Sequence, residues 1–207
     1  MILMIDNQDS FTYNLIDYIK VQTTEEVKII SVNDLMTQHL DALNPRAIVI
    51  SPGPGKPSDY PILSSVLEIF HRHVPILGVC LGFQLIIEYF GGNIIHNDKP
   101  IHGHITKIRH SNEGIFKGLP SYFNVMRYHS LMADPSTIPS ALKVTALNNE
   151  NVIMAVAHHK YPIYGLQYHP ESILSEYGHE QLNLFLTEVG VKYCLLYTSL
   201  MARGRRV

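Results

Sequence analysis

The sequence has no tryptophan and only two cysteines, Cys80 and Cys194, among its 207 residues. Two cysteines cannot form the disulfide framework of a small secreted domain. Charged residues make up only 16% of the chain and the formal net charge is −2, so the basic surface that nucleic acid requires is missing. There is also no apolar run of the roughly 20 residues that cross a membrane, and no signal-peptide pattern at the start. These absences predict a soluble protein of the cytoplasm, without a nucleic-acid or membrane partner.

The first half of the chain alternates between predicted strands and predicted helices. Continuous apolar runs predict strands buried on both faces of a parallel sheet at Met1–Ile5, Ala47–Ile50 and Ile76–Val79, with a weaker candidate at Val27–Val32. Helical spacing of apolar residues follows a cap at Asp9 or Ser10, precedes Pro75, and extends from Leu81 to the glycine stop at Gly91 and Gly92. This alternation predicts a doubly wound α/β sheet.

The second half adds strands of a different kind. Apolar and polar residues alternate over Leu142–Ala146, and further strands are predicted at Val152–Ala157 and Ile163–Gln167, followed by a helix over Ser175–Val189. Half-exposed strands separated by turn signals indicate antiparallel additions to the sheet. We therefore expect one domain over residues 1–190 and a tail over 191–207 that is disordered or foreign to the fold.

A glycine-flanked cysteine directly follows the third apolar run. Gly78 and Gly82 each lie two residues from Cys80, where a strand is predicted to end and a helix to begin. Small residues at these positions permit the sharp turn of a nucleophile elbow. The N-terminus of the following helix favours the thiolate form of the cysteine. A buried core cysteine is the commoner fate of a free thiol, but the Gly-x-Cys-x-Gly pattern favours a nucleophile.

A candidate base for this nucleophile lies in the segment Tyr168–Ser172, which reads Tyr-His-Pro-Glu-Ser. A cysteine nucleophile needs a general base, and the base needs a group that orients it. His169 and Glu171 are two residues apart, so an extended backbone directs both side chains to the same side. We expect Glu171 to hold one imidazole nitrogen of His169 while the other nitrogen faces Cys80. Alone, a histidine before a proline would be an ordinary loop residue.

A proline- and glycine-rich loop, Ser51–Pro57, follows another predicted strand and so lies at the carboxyl edge of the sheet, where open α/β sheets bind ligands. The backbone N–H groups of Gly53 and Gly55 could bind an oxyanion, and the amide of Leu81 is a second candidate donor. A phosphate loop requires Ser or Thr after Gly-Lys, whereas this chain has Pro57 there. Without the cysteine, the loop would be interpreted as a proline-rich turn.

The 12 histidines raise the question of a metal site. The sequence contains neither His-Glu-x-x-His nor Cys-x-x-Cys. Closely spaced histidine pairs occur at His71 and His73, His102 and His104, and His158 and His159, without a carboxylate or thiol at ligand spacing. We therefore expect no metal site and interpret these histidines as scattered surface residues.

Taken together, these segments resemble the class I, triad-type glutamine amidotransferases over roughly residues 1–189. Four stretches are more narrowly similar to the glutaminase subunit (component II) of anthranilate synthase and of aminodeoxychorismate synthase: Asp6–Asn14, Ser51–Gly55, Arg127–Leu131 and Gln167–Ser172. The resemblance implies a flavodoxin-like, doubly wound, mostly parallel sheet with helices on both faces and added antiparallel strands.

The resemblance also implies a mechanism and a set of binding residues. Cys80 attacks the side-chain amide of L-glutamine, His169 passes the thiol proton to the leaving ammonia, and Glu171 orients His169. Water then hydrolyses the glutamyl thioester to glutamate. The implied oxyanion hole is formed by the amides of Gly55 and Leu81, and the implied glutamine-binding residues are Gly53, Pro54, Gly55, Gln84, Ser130 and Leu131.

The expected partner is a second chain, a chorismate-binding synthase that requires magnesium, while no cofactor is expected in this chain. Ammonia would pass between the two chains to form anthranilate for tryptophan synthesis. Aminodeoxychorismate synthase of the folate pathway, or a glutaminase shared by both synthases, remains the alternative. A stand-alone γ-glutamyl cysteine hydrolase and a non-catalytic flavodoxin-like module with a buried Cys80 are alternatives of other classes.

The sequence departs from the pattern of these glutaminases at three places. Phe83 replaces a frequent histidine beside the elbow, and Gln8 replaces a frequent tyrosine. The usual His-Gly-Lys reads His102-Gly103-His104, which weakens the expectation that this loop contacts the partner. The candidate triad residues match the pattern.

Overall fold

The computed structural model describes residues 1–97, 103–188 and 190–191. The predicted tail from residue 192 onward, with Cys194, and His102 lie outside the described residues. The strands are β1 (Ile2–Asp6), β2 (Val27–Ser31), β3 (Ala47–Ile50), β4 (Ile76–Val79), β5 (Ile94–His96), β6 (His104–His110), β7 (Tyr122–Arg127), β8 (Leu131–Ala133), β9 (Leu142–Asn148), β10 (Ile153–His158) and β11 (Ile163–Leu166). The helices are α1 (Thr12–Lys20), α2 (Thr37–Leu43), α3 (Pro61–Phe70), α4 (Leu81–Tyr89) and α5 (Gly178–Glu188).

Nine strands form one mixed sheet in the order β2-β1-β3-β4-β11-β10-β9-β6-β7. The pairs from β2 to β11 are parallel, and the pairs from β11 to β7 are antiparallel. β5 and β8 form a separate antiparallel pair. The predicted doubly wound parallel sheet with antiparallel additions is confirmed.

The central parallel strands are apolar throughout because helices cover both faces of the sheet. All residues of β3, β4 and β11 are buried. One face packs against α1 and α5, through residues such as Leu15 and Phe185. The other face packs against α2, α3 and α4, through residues such as Leu63 and Ile86. β2 lies at the sheet edge and is half-exposed, which explains its weaker apolar pattern.

Two local features differ from the sequence prediction. The helix α1 begins at Thr12 and has no side-chain cap, so the predicted cap at Asp9 or Ser10 is wrong. The carboxylate of Asp9 instead accepts a hydrogen bond from the backbone N–H of Phe11 at 2.8 Å, an Asx turn that competes with capping. The short helix α2 and the strands β5 to β8 carry no prediction, because brief and largely exposed elements have little periodicity.

The carboxyl ends of β1, β3 and β4 meet at one edge of the sheet. The loop Asp6–Phe11 follows β1, the loop Ser51–Pro57 follows β3, and Cys80 follows β4. The parallel topology therefore brings together segments that are far apart in the sequence. No helix in the described part of the chain has the length and apolar character needed to cross a membrane.

Candidate active site

Cys80 occupies a strained turn between β4 and α4. Its backbone has φ 53° and ψ −96°, a conformation that costs a residue other than glycine free energy. The backbone N–H of Cys80 donates to the carbonyl of Leu166 at 2.7 Å, which anchors the turn to β11. The side chain is 8% exposed, so the sulfur lies at the floor of the sheet edge.

The two glycines beside Cys80 are required by close backbone packing. A Cβ atom on Gly78 would lie 2.4 Å from the backbone of Gly82, and one on Gly82 would lie 2.6 Å from the carbonyl oxygen of Ile50. Neither neighbour is the end of a flexible side chain, so the turn could not form with larger residues. This geometry is that of a nucleophile elbow, as the Gly-x-Cys-x-Gly pattern predicts.

His169 and Glu171 form a buried pair. The Nδ1 atom of His169 lies 2.7 Å from Oε1 of Glu171, and the two residues are 2% and 1% exposed. The predicted pairing is present, but the predicted extended backbone is wrong. The N–H of Ser172 donates to the carbonyl of His169 at 3.2 Å, so a tight turn around Pro170 brings the carboxylate back to the imidazole.

The catalytic segment is attached firmly to β7. The N–H of His169 donates to the carbonyl of Met126 at 3.1 Å, and Ser175 Oγ donates to the carbonyl of His169 at 2.6 Å. Gly178 at the start of α5 lies against Pro170, since a Cβ there would come within 1.8 Å of the Pro170 carbonyl oxygen. These contacts fix the imidazole relative to the sheet.

The electrostatic environment of His169 favours the protonated imidazole. Burial opposes the charge, but hydrogen bonding with Cys80 and Glu171, together with their charges, raises the pKa of His169 well above its ordinary value. The Nε2 atom is buried and has no partner of regular hydrogen-bond geometry. We therefore treat Cys80 and His169 as facing groups that act on each other electrostatically, whose full hydrogen bond is not yet formed, as is common before substrate binds.

Gln167 contacts the candidate nucleophile, although the sequence pattern did not single it out. Its Nε2 lies 3.9 Å from Cys80 Sγ, within the range of a weak bond to sulfur, and its Oε1 is buried without a partner. A weak donor near Sγ stabilises negative charge on the sulfur. Gln167 comes directly after β11, so its position beside β4 was the only available signal.

The loop Ser51–Pro57 packs against the start of α4. A Cβ on Gly53 would lie 2.6 Å from Leu81 Cδ2, so the loop and the residue after the nucleophile are neighbours. Gly55 has φ +74°, a left-handed conformation that suits glycine. The carboxylate of Asp59 accepts from the N–H of Lys56 at 2.9 Å and closes the loop. Pro54, between the two glycines, is exposed.

The other expected glutamine-binding residues lie on two elements. Gln84 is buried in the first turn of α4, and its N–H donates to the carbonyl of Cys80 at 3.1 Å. Ser130 and Leu131 precede and begin β8. Ser130 is exposed, and its carbonyl accepts from the N–H of Asn97 at 2.8 Å. These residues adjoin the triad through Cys80 in one case and through the chain that follows β7 in the other.

A buried arginine and histidine support the Ser130–Leu131 backbone. Arg127 Nε donates to His129 Nε2 at 3.1 Å, so Nδ1 of His129 carries the proton and donates to the carbonyl of Leu131 at 2.7 Å. Burial and the neighbouring Arg127 charge lower the pKa of His129 to about 4, which keeps this imidazole neutral. The interpretation of the histidines as surface residues is wrong for His129, which is 3% exposed.

Two aromatic rings contact the candidate base. Phe11 lies 5.2 Å from the His169 ring at an interplanar angle of 60°, and Tyr128 lies 5.4 Å from it at 87°. Edge-to-face arrangements of this kind are favourable. Sequence reasoning placed Phe11 near the site only through the resemblance, and it interpreted Tyr128 as part of a strand end.

Comparison with known proteins decides the family. The sequence model of the class I glutamine amidotransferases matches residues 3–189. The chain belongs to this family. Its flavodoxin-like sheet, its elbow cysteine and its buried His-Glu pair are therefore those of a class I glutamine amidotransferase.

Several curated relatives are as long as this amidotransferase chain. It is 44% identical to aminodeoxychorismate synthase component 2 of Escherichia coli, over 90% of this chain and 99% of the relative. It is 43% identical to aminodeoxychorismate/anthranilate synthase component 2 of Bacillus subtilis, over 90% and 95%. It is also 46% identical to the multifunctional tryptophan biosynthesis protein of Phycomyces blakesleeanus, of which the chain spans only 24%.

Solved structures show the same fold. A putative GMP synthase glutaminase-type chain from Thermoplasma acidophilum superimposes with a TM-score of 0.79 at 26% identity, covering 97% of this chain and 96% of the other. A glutamine amidotransferase from Thermotoga maritima superimposes with a TM-score of 0.67 at 16% identity, covering 99% and 85%. The second likeness establishes the fold alone.

Proposed function

We propose that this amidotransferase is the glutaminase component of a chorismate-using synthase, hydrolysing L-glutamine and passing ammonia to a partner chain. The observation that carries the proposal is the elbow cysteine facing a buried His169 whose Nδ1 lies 2.7 Å from Glu171. A cysteine, a base and an orienting carboxylate are the three groups that nucleophilic attack on an amide requires. Relatives of equal length named component 2 of anthranilate or aminodeoxychorismate synthase support the choice of partner.

In the proposed reaction, the Cys80 sulfur forms a bond to the side-chain amide carbon of glutamine. The amides of Gly55 and Leu81 donate to the oxyanion, and such a donor is typically worth about 2.7–4 kcal/mol at the transition state. His169 protonates the departing nitrogen, so the C–N bond breaks and ammonia leaves. Water then attacks the thioester, and glutamate is released with the Cys80 sulfur regenerated.

Substrate binding divides between two elements in this proposal. The loop residues Gly53 and Pro54 line one side with Gly55, while Gln84 and the backbone of Ser130 and Leu131 hold the amino-acid end of glutamine. The neutral His129 supports this function because its bond to the Leu131 carbonyl fixes the direction of the neighbouring peptide groups. Glutamine would therefore be recognised mainly by backbone groups on a braced loop.

An exposed apolar rim supports a protein partner at this edge. Ile173 and Leu174, directly after the triad segment, are 91% and 49% exposed, and Tyr13 in α1 is 67% exposed. Tyr128, whose ring contacts His169, is 38% exposed. Large apolar side chains grouped around a catalytic site are typical of an interaction surface, and a synthase seated there would receive ammonia without its escape to water.

The experiment that tests the proposal mixes the purified chain with two magnesium-loaded synthase chains, one forming anthranilate and one forming aminodeoxychorismate. We expect glutamine to support product formation with at least one of them, and to release ammonia faster in the complex than with the chain alone. The product identifies the pathway, and activity with both identifies a shared glutaminase. Full glutaminase turnover by the isolated chain, unchanged by either synthase, would instead indicate a stand-alone γ-glutamyl hydrolase. Absence of turnover in every mixture would favour a non-catalytic module.

A further inference from the structure

The loop between β1 and α1 contacts the candidate oxyanion loop through Asn7. This residue is fully buried; its N–H donates to Ser51 Oγ at 2.9 Å and its Nδ2 donates to the Ser51 carbonyl at 2.8 Å. A Cβ on Gly53 would lie only 2.6 Å from Asn7 Cβ. Asn7 thus grips the start of the Ser51–Pro57 loop by two hydrogen bonds and close packing.

The same loop contacts the candidate base through Phe11. The single bond from His169 to Glu171 holds one imidazole nitrogen and leaves the ring free to tilt about that bond. The Phe11 ring contacts the imidazole at 5.2 Å, and Tyr128 contacts both, at 5.4 Å from His169 and 5.0 Å from Phe11. Two rings against the imidazole restrict this tilt, and only one of them comes from the neighbourhood of β7.

Short local hydrogen bonds connect the Asn7 and Phe11 contacts. The N–H of Gln8, which has φ 63°, donates to the Asp6 carboxylate at 2.8 Å. The Asp9 carboxylate accepts from the N–H of Phe11 at 2.8 Å, and the Asp9 carbonyl accepts from the N–H of Thr12 at 3.1 Å. A loop braced in this way moves as a unit, so a shift at Asn7 is transmitted to Phe11.

We propose that the loop Asn7–Phe11 is a positioning element that holds the catalytic base and the oxyanion loop in one fixed relation. Asn7 and Phe11 act through Ser51 and His169, respectively, and neither takes part in bond making. The inference rests on the proposed glutaminase function. It assigns to this loop a role that its position in the sequence, before the first helix and far from the triad, does not reveal.

The test is the Phe11→Leu variant in complex with the synthase partner. We expect kcat for glutamine hydrolysis to fall roughly 10- to 100-fold, because a misplaced base is costly, with the KM for glutamine nearly unchanged, because the glutamine-binding residues are untouched. The groups that face the imidazole are Cys80, Glu171, His129 and Tyr128. A tilted ring loses part of its interaction with the first two, so the basic limb of the kcat profile should move to lower pH.

Two further variants separate positioning from folding. Phe11→Tyr keeps an aromatic ring and should restore both kcat and the basic limb. Phe90→Leu is the matched control, since Phe90 contacts His158 at 4.9 Å at the far end of α4, and should change neither. Equal behaviour of Phe11→Leu and Phe90→Leu, or a loss of kcat without movement of the basic limb, would overturn the inference. A wild-type complex without glutaminase activity would overturn the proposed function itself, which keeps the two failures distinct.

Discussion

Replacing Cys80 with alanine is expected to abolish glutamine-dependent synthesis in the reconstituted complex and to leave synthesis from free ammonia intact. The loss should reach roughly 10⁴-fold or more, since removing the nucleophile of a triad eliminates the covalent route. The fold should tolerate the change because Cys80 donates its backbone N–H to Leu166, which alanine also does. The positive φ of 53° is strained for both residues. Product formation is measured with glutamine and, separately, with an ammonium salt at high pH.

The ammonia arm of this experiment is its internal control. Unchanged synthesis from ammonia shows that the variant still binds the synthase or, at the least, leaves the synthase functional. Co-purification of the Cys80→Ala chain with its partner establishes that the complex still forms. Glutamine-dependent synthesis that persists in the variant would contradict a mechanism through the Cys80 sulfur, whatever the state of the ammonia arm.

Replacing Glu171 with glutamine is expected to lower kcat for glutamine hydrolysis by roughly 10²- to 10⁴-fold, the range in which loss of a triad carboxylate acts. The amide preserves size and hydrogen bonding to His169 Nδ1 but removes the negative charge that helps to raise the pKa of His169. The protonated imidazole delivers the proton to ammonia, and it persists only below the pKa of His169. A lower pKa therefore moves the basic limb of the rate profile to lower pH.

A matched control for this substitution lies in the same segment. Glu176 accepts a hydrogen bond from the N–H of Asn124 at 2.6 Å, on the exposed side of the segment, and Glu176→Gln retains an acceptor there. We expect wild-type kcat and an unmoved basic limb for this control. If Glu171→Gln behaved in the same way, the buried carboxylate would have no part in activating the imidazole.

The sequence was most informative where one physical demand fixes one residue type. The strands β3 and β4 match their predicted bounds because burial on both faces leaves room only for apolar residues. Gly78 and Gly82 predicted the elbow because a Cβ at either position would collide with backbone. The spacing of His169 and Glu171 predicted their pairing, although a turn and not an extended strand produces it.

The remaining parts of the site depend on tertiary contacts that one sequence does not show. Gln167 reaches Cys80 only because β11 pairs with β4. Arg127 and His129 are buried because the antiparallel strands close over them, and a polar pair at a strand end is usually exposed. Phe11 contacts His169 from the opposite end of the chain, through a loop whose direction is set by an Asx turn. The neutral state of His129 likewise follows from its burial beside an arginine.

The most direct test of the central claim, that Cys80 is the activated nucleophile of a glutaminase, is covalent labelling with a diazo-ketone analogue of glutamine. Peptide mass spectrometry should locate one adduct per chain on Cys80, and an excess of glutamine should prevent it. The labelled complex should lose glutamine-dependent synthesis and keep synthesis from ammonia. Stoichiometric labelling of Cys80 with glutamine-dependent synthesis intact, or inactivation with the adduct on another residue, would contradict the claim.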